Sequence, residues 1–321
     1  MSGLVHLRLT VPTDLSDVVR RQLADHDCAT NLVLLPGAAL KPQGDVIEAD
    51  VARESASDIV DALTATGLAD RGGIALSEPI STPFAAARRL QEIAPGDADD
   101  AVIWSSILDE AEMSSRPTVS FHVFLVLATV LAAIAVITDS SVLVVGAMVV
   151  GPEFASIAAV CTGLVLGRPH LAARSLALLV FSFAFAIVVV AVLAVIAAAT
   201  GLVTEEMVTR PRPQTGFIWH PDRWSFIVAI VAGAAGVLAM ATQKSNAMVG
   251  VFISVTTVPA AGNLALGLAL VDRHEIQGSA AQLGINIVGM LVAGVATIAV
   301  LRLFWVRIVT VSERLFHASF G

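Results

Sequence analysis

At 321 residues and a formal net charge of −8, the chain is long enough for two domains, and its 56% apolar content is unevenly spread. Residues 1–116 hold 19 acidic and 9 basic side chains, whereas residues 117–321 hold 8 and 10 and contain apolar stretches beyond the ~18 residues that signal a transmembrane helix. The acidic first part argues against nucleic acid or an anionic lipid surface as its partner. Cys28 and Cys161 fall in unlike environments, so no disulfide is expected, and no Cys/His spacing calls for a metal or cofactor.

The first residues alternate as a strand rather than forming an apolar leader, so no signal sequence is expected. Val5, Leu7, Leu9 and Val11 form the apolar face of that strand, and Leu15, Val18, Val19 and Leu23 follow at helical spacing, with Thr13 or Asp14 as cap. Asn31–Leu35 is a short apolar run broken by Pro36-Gly37. The next strand sets Ile47, Ala49 and Val51 opposite Val46, Glu48 and Asp50. Ser55 or Ser57 opens a helix with Ile59, Val60 and Leu63, and Ile74–Ile80 reads as the last strand. The order βαββαβ is that of a ferredoxin-like domain over residues 1–80. Residues 81–116 read as a linker over 81–97, then an amphipathic helix led by Asp99 and Asp100, with Val102, Ile103, Ile107, Leu108 and Ala111 on one face.

Residues 117–321 read as six spans near 118–137, 142–166, 172–199, 224–242, 246–270 and 280–304. They are written twice at a constant offset of 104 residues: Gly146, Gly163, His170 and Ser175 recur as Gly250, Gly267, His274 and Ser279. Each copy (about 118–200 and 224–304) has three spans, so the second must enter the membrane from the opposite face. Two inverted three-helix repeats are an architecture of solute carriers. Arg116, Arg168, Arg174, Lys244, Arg302, Arg307 and Arg314 fall on one side and Arg210, Arg212, Arg223 and Arg273 on the other. That excess places both termini in the cytoplasm of a multi-pass inner (plasma) membrane protein.

The second and fifth spans carry Pro and Gly mid-span, in Gly151-Pro152-Glu153 and in Thr256-Thr257-Val258-Pro259. Proline frees backbone carbonyls that lipid cannot satisfy, so both helices are expected to break where protein or a wet cavity surrounds them. Glu153 falls near mid-bilayer, where a carboxyl must be neutral, paired or hydrated. A structural lock and a proton or cation site both remain open for it. The offset sets Thr257 opposite Glu153. Ser156, Thr256, Asn263, Ser182 and Asn286 complete the expected solute or ion path with Glu153, Pro152, Thr257 and Pro259. Gln282 sits near a span end and carries less weight. His170 and His274, in loops, read as pH sensors or as interfacial structural residues. Asp139-Ser140-Ser141 reads as the cap of the second span.

Leu127-Ala128 through Ile134-Ala135, Asp139-Ser140, Gly146-Ala147-Met148, Gly151-Pro152 and the run from Ile253 to Ala261 resemble the DUF389 membrane proteins of bacteria and archaea. The common second-span motif of that family reads Ser-Pro-Leu-Met-Gly-Pro, and Glu153 departs from it. The resemblance implies a small soluble domain joined to a hydrophobic membrane domain, and supplies no substrate. The reading that follows is a transporter or channel for a small solute or ion, embedded in the bilayer and forming a homo-oligomer, with regulation by the soluble domain. The alternative is a membrane-embedded sensor or assembly scaffold without transport. No nucleophile–base pair or metalloprotease motif lies in the spans, so an enzyme is not expected.

Overall fold

The computed structural model describes residues 3–94, 98, 101–244, 250, 251 and 253–316, with side chains for all of these but 209 and 304–316. The chain divides into two compact units, the first reaching Ser106 and taking in Phe304 onward, the second running from Ile107 to Leu303.

In the first unit, β1 (Leu4–Pro12), α1 (Ser16–Ala24), β2 (Ala29–Leu40), β3 (Gln43–Ala52), α2 (Ala56–Ala65), α3 (Leu68–Arg71) and β4 (Gly73–Ser77) build an antiparallel sheet of order β2-β3-β1-β4. Alternation decides what is buried. Val5, Leu7, Leu9 and Val11 join Ile47, Ala49 and Val51 in a core sealed by Val19, Leu23, Ile59, Val60 and Leu63. On the opposite face His6 pairs with Asp50 at 2.8 Å and Arg8 with Glu48 at 3.5 Å, each across the β1–β3 register.

Several local expectations shift. Pro36-Gly37 does not end the second strand; β2 continues to Leu40 through a register irregularity between Leu35 and Ala39. Leu15 rather than Thr13 or Asp14 precedes α1, and Asp14 pairs with Arg71 at 2.8 Å. Ser55 precedes α2 without a side-chain cap, while Ser57 accepts the Trp104 N–H and donates to Val102 O. Within 81–97 there is a helix, α4 (Ala85–Ile93), because Ala87 and Leu90 find a buried site beside Leu4, Cys28 and Ala52. The next helix, α5 (Trp104–Ser114), starts after the expected Asp99 and Asp100, which lie outside the described residues.

Asp45 accepts from the Ser16 hydroxyl and from Gly37 N–H at 2.8 Å, and the Ser16 bond is the larger cause holding its carboxyl below the ordinary range. A depressed folded value stabilises the fold above the unfolded pKa, near 3.9, and is lost as pH falls through the folded value. Melting temperatures of wild type and D45N should therefore differ at pH 7 and converge under strongly acidic conditions. A gap independent of pH would remove the titration from this account.

In the second unit, α6 (Val119–Thr138), α9 (Pro169–Ala199), α11 (Arg223–Ala241) and the Arg273–Leu303 part of α13 (Arg273–Phe316) are long and apolar enough to cross a membrane. Only 33–44% of their most apolar windows is buried, so the remaining apolar surface, Phe124, Phe181 and Val231 among it, faces outward. Between the first two lie α7 (Ser141–Val150) and α8 (Glu153–Val165), bent by 50° at Gly151-Pro152. Over the expected fifth span, residues 250, 251, 253 and 254 are helical, 255 and 256 are not, and α12 (Thr257–Leu270) follows as a shorter apolar helix. The remaining short helix, α10 (Glu205–Thr209), is joined to α11 by a stretch that holds a turn and a short 3-10 helix, Gly216–Ile218.

The helices keep the sequence offset. α6 and α11 begin at 119 and 223, α8 and α12 at 153 and 257, and α9 and α13 at 169 and 273, each pair 104 apart. Of the matched glycines, Gly163 and Gly267 now have a reason, while a Cβ on Gly146 or Gly250 would meet nothing within 4 Å among the described residues. A Cβ on Gly163 would lie 2.7 Å from Ala172 N, and one on Gly267 3.1 Å from Glu275 Cβ, so each sits where a helix folds tightly back on the next. Elsewhere a Cβ on Gly233 would meet Met290 Cα at 2.6 Å, and one on Gly262 would meet Ala132 Cβ at 2.7 Å. Backbone cannot yield as a flexible side chain does. Gly233→Ala and Gly262→Ala should each cost about 1–3 kcal/mol, read as lowered thermal stability in detergent. An unchanged melting temperature would mean the helices separate freely.

Candidate functional site

The break in the second span is where proline put it. Pro152 caps α8, and Gly151 lies so close to the Glu153 carboxyl that a Cβ there would sit 2.3 Å from Oε2. The fifth span breaks differently from expectation. Its gap is at Val255-Thr256, and Pro259 lies in the first turn of α12, where a missing N–H leaves no carbonyl unpaired. Pro259 therefore starts a helix rather than kinking one. The two gaps, 151–152 and 255–256, are again 104 residues apart.

Both half-helices start at one point. Glu153, the first residue of α8, accepts at Oε1 a 2.6 Å hydrogen bond from Thr257 Oγ1, the first residue of α12. Two helix N-termini thus meet around one carboxyl, setting positive backbone ends beside it. Glu153 and Thr257 are 8% and 1% exposed. Glu153 Oε2 and the hydroxyl of Ser156, one turn further along α8, have no hydrogen-bond partner among the described residues. Buried polar atoms without partners are rare enough to mark a place where something else binds or passes.

Next to this pair, Thr256 Oγ1 accepts from Gln282 Nε2 at 2.9 Å and from Asn286 Nδ2 at 2.8 Å. These three residues lie at the buried end of a cavity of about 350 Å³, walled by Val144, Val145, Met148, Val228 and Ile253. Phe217, His220, Asp222 and Trp224 line its exposed end. Gln282 was the residue given less weight. Because α13 begins at 273, ahead of the expected 280, Gln282 is 2% exposed and well inside the packed helix.

Two path residues are drawn elsewhere. Ser182 lies 3.1 Å from His122 Nε2, between α6 and α9. Asn263 belongs to a second buried cluster. Its Oδ1 accepts from Arg212 Nη1 at 2.9 Å, and its Nδ2 donates to Glu275 Oε2 at 2.5 Å and to Ser279 Oγ at 2.7 Å. Arg212 and Glu275 also form an ion pair, 2% and 4% exposed in their side chains, with the Arg212 guanidinium 5.9 Å from the Trp219 ring centroid. Sequence reasoning placed Arg212 in a loop and passed over Glu275. At positions 104 earlier, Ala159 and Leu171 instead form an apolar cluster with Leu108 and Ala111. Among the described residues no such polar cluster stands at the positions 104 earlier.

Asp139 has a fixed role. It ends α6 at φ 50°, and its Oδ1 accepts from Gln214 N at 3.1 Å and Thr215 Oγ1 at 2.9 Å, while Ser140 caps α7. His170 lies with Arg116, Arg168 and Arg174 around a separate cavity of about 350 Å³. Among the described residues no three His, Cys, Asp or Glu side chains gather as a metal site would require.

No curated protein and no solved structure matches the chain. Residues 148–292, which hold both helix breaks, the cavity base and the Arg212 cluster, match the model of the family described as Domain of unknown function (DUF389), so the membrane part of this chain carries a DUF389 domain.

Proposed function

We infer that the chain is a membrane transporter or channel for a small solute or ion, with its path through the paired helix breaks. The observation that carries this reading is the meeting of Glu153 and Thr257, each the first residue of a half-helix, beside a cavity that ends at Thr256. Breaks at matching positions with polar groups turned into a cavity are what alternating access about a fixed site requires. In this reading six spans form two inverted three-helix repeats, supported by the helix starts recurring 104 residues apart. Both termini are cytoplasmic, and the N-terminal unit, with strand order β2-β3-β1-β4, is a ferredoxin-like regulatory domain. Self-association is supported by the edge strand β2, whose Leu32, Val33, Leu34 and Leu35 are 36–44% exposed. The chain is not an enzyme in this account, because one carboxyl bonded to one threonine is no catalytic constellation.

Proteoliposomes carrying the full chain should pass at least one class of small inorganic cation, anion, organic amine or organic acid that protein-free liposomes retain. Retention of all four classes would move the assignment to a sensor or assembly scaffold.

A further inference from the structure

At the start of α9 a basic cavity is followed by an apolar groove. The cavity, of about 350 Å³, is lined by Arg116, Arg168, Arg174, His170, Ser115 and Glu112 at the α8–α9 turn. Ser115 spends its hydroxyl hydrogen on Glu112 O at 2.7 Å, and the Glu112 carboxylate approaches Arg168 only to 4.0 Å. Glu112 is the one carboxylate among the described lining residues, so the three exposed guanidinium groups leave an excess of positive charge. The first turn of α9, which has no side-chain cap from Arg168, adds its backbone N–H groups to that end. The repeat itself does not demand this charge, because the positions 104 later hold His220, Asp272 and Gly278.

The groove, of about 790 Å³, lies between α6 and α9 and is walled by Val119, Val123, Leu127, Phe181, Phe185 and Val189. Its polar members are already bonded within the protein. Thr118 Oγ1 accepts from Phe121 N at 3.2 Å, and His122 meets Thr118 O at 2.8 Å through Nδ1 and Ser182 Oγ at 3.1 Å through Nε2. What the groove offers is hydrocarbon, and Val119, Val123, Phe181 and Phe185 are each at least half exposed. Arg116 lines the cavity, and its chain neighbour Pro117 lines the groove. On α9, Arg174, Phe181 and Phe185 share one face, and Arg174 precedes Phe181 by roughly 10 Å along the axis.

A small anion has no use for the groove, and a hydrocarbon has none for the arginines. We propose that the two together bind one phospholipid of net negative charge, its head-group phosphate among Arg116, Arg168 and Arg174 and an acyl chain along Val123, Phe181 and Phe185. The head group then lies where α9 begins and the chain follows the helix inward, as a lipid lies in its leaflet. This goes beyond the transport reading and does not depend on a path through the helix breaks.

The test is binding of dioleoylphosphatidylglycerol to the full chain in a non-ionic detergent, read by native mass spectrometry, with dioleoylphosphatidylcholine and glycerol 3-phosphate in parallel. Phosphatidylglycerol should bind on the order of tenfold more tightly than phosphatidylcholine, which has the same chains and no net charge. Glycerol 3-phosphate, which has charge without chains, should bind more weakly than phosphatidylglycerol. Arg168→Gln with Arg174→Gln should remove the preference, whereas Arg223→Gln with Arg273→Gln, which takes the same charge from other positions, should leave it. Glu112→Gln should strengthen it, an opposite change that a folding defect cannot mimic. Phe181→Ser should weaken phosphatidylglycerol binding severalfold and leave the oligomeric state unchanged. Equal binding of the two lipids, or equal losses from the two arginine pairs, overturns the proposal. Glycerol 3-phosphate binding as tightly as the lipid would make the cavity a soluble-anion site, and dissociation of oligomers by Phe181→Ser would make the groove a contact between copies. Either result overturns the lipid assignment.

Discussion

Replacing Glu153 by glutamine should abolish any dependence of flux on a pH gradient in proteoliposomes and lower flux itself on the order of tenfold or more. Among the described residues the carboxyl is the one ionisable group at the meeting point of the two half-helices, and glutamine keeps its shape while losing its proton chemistry. Thr257→Val tests the partner separately. It removes the 2.6 Å hydrogen bond with little change of volume, and a hydrogen bond is worth about 0.5–1.5 kcal/mol net, roughly a two- to tenfold effect. Thr257→Ser restores the hydroxyl and should restore function. If E153Q carries solute at the wild-type rate with the wild-type pH dependence, Glu153 is a structural lock and the path lies elsewhere.

The second large effect concerns stability. Glu275→Gln or Arg212→Met leaves one buried charge without its partner, and breaking such a pair costs about 3–5 kcal/mol. Each single variant should melt far below wild type or fail to accumulate. The double variant Arg212→Met, Glu275→Met removes both charges together and should lose much less than the sum of the two. It will not be neutral, because Asn263 loses a donor at 2.9 Å and an acceptor at 2.5 Å and keeps only Ser279. Single variants within about 0.5 kcal/mol of wild type would mean that water reaches the pair and screens it.

What could be read in the sequence follows a physical divide. Periodicity is local, so Val5, Leu7, Leu9 and Val11 announced a core strand, and the apolar runs announced the long helices. The offset of 104 residues was legible because Gly163 and Gly267 both lie at a close helix return, where a side chain would clash at the first and crowd its neighbours at the second. It led from there to the Glu153–Thr257 contact. The exact place of the fifth break was not legible, since Val255 and Thr256 carry no breaking signal and Pro259 serves the first turn of α12. Arg212 and Glu275 were hidden for another reason. Each reads alone as an interfacial charge, and only the packed chain brings a loop arginine onto α12 and α13. Their outward sign was asymmetry: Asn263 and Glu275 stand where the first copy has Ala159 and Leu171.

The segment from Arg210 to Thr215 also has a mechanical meaning. Both ends are fastened to the α6–α7 turn, the first by Arg210 on Ile137 O at 2.8 Å, the second by the Gln214 and Thr215 bonds to Asp139 and by Ser141 on Gln214 at 3.2 Å. Its middle is fastened to α12 and α13 through the buried Arg212. The segment is a tether between two helical hairpins, knotted to each. The four bonds to the α6–α7 turn are each worth about 0.5–1.5 kcal/mol, and together they match the cost of about 3–5 kcal/mol for breaking the buried pair. Rocking of α6–α7 away from α12–α13 therefore has to undo one whole set, so the Arg-Pro-Arg-Pro run couples the two hairpins.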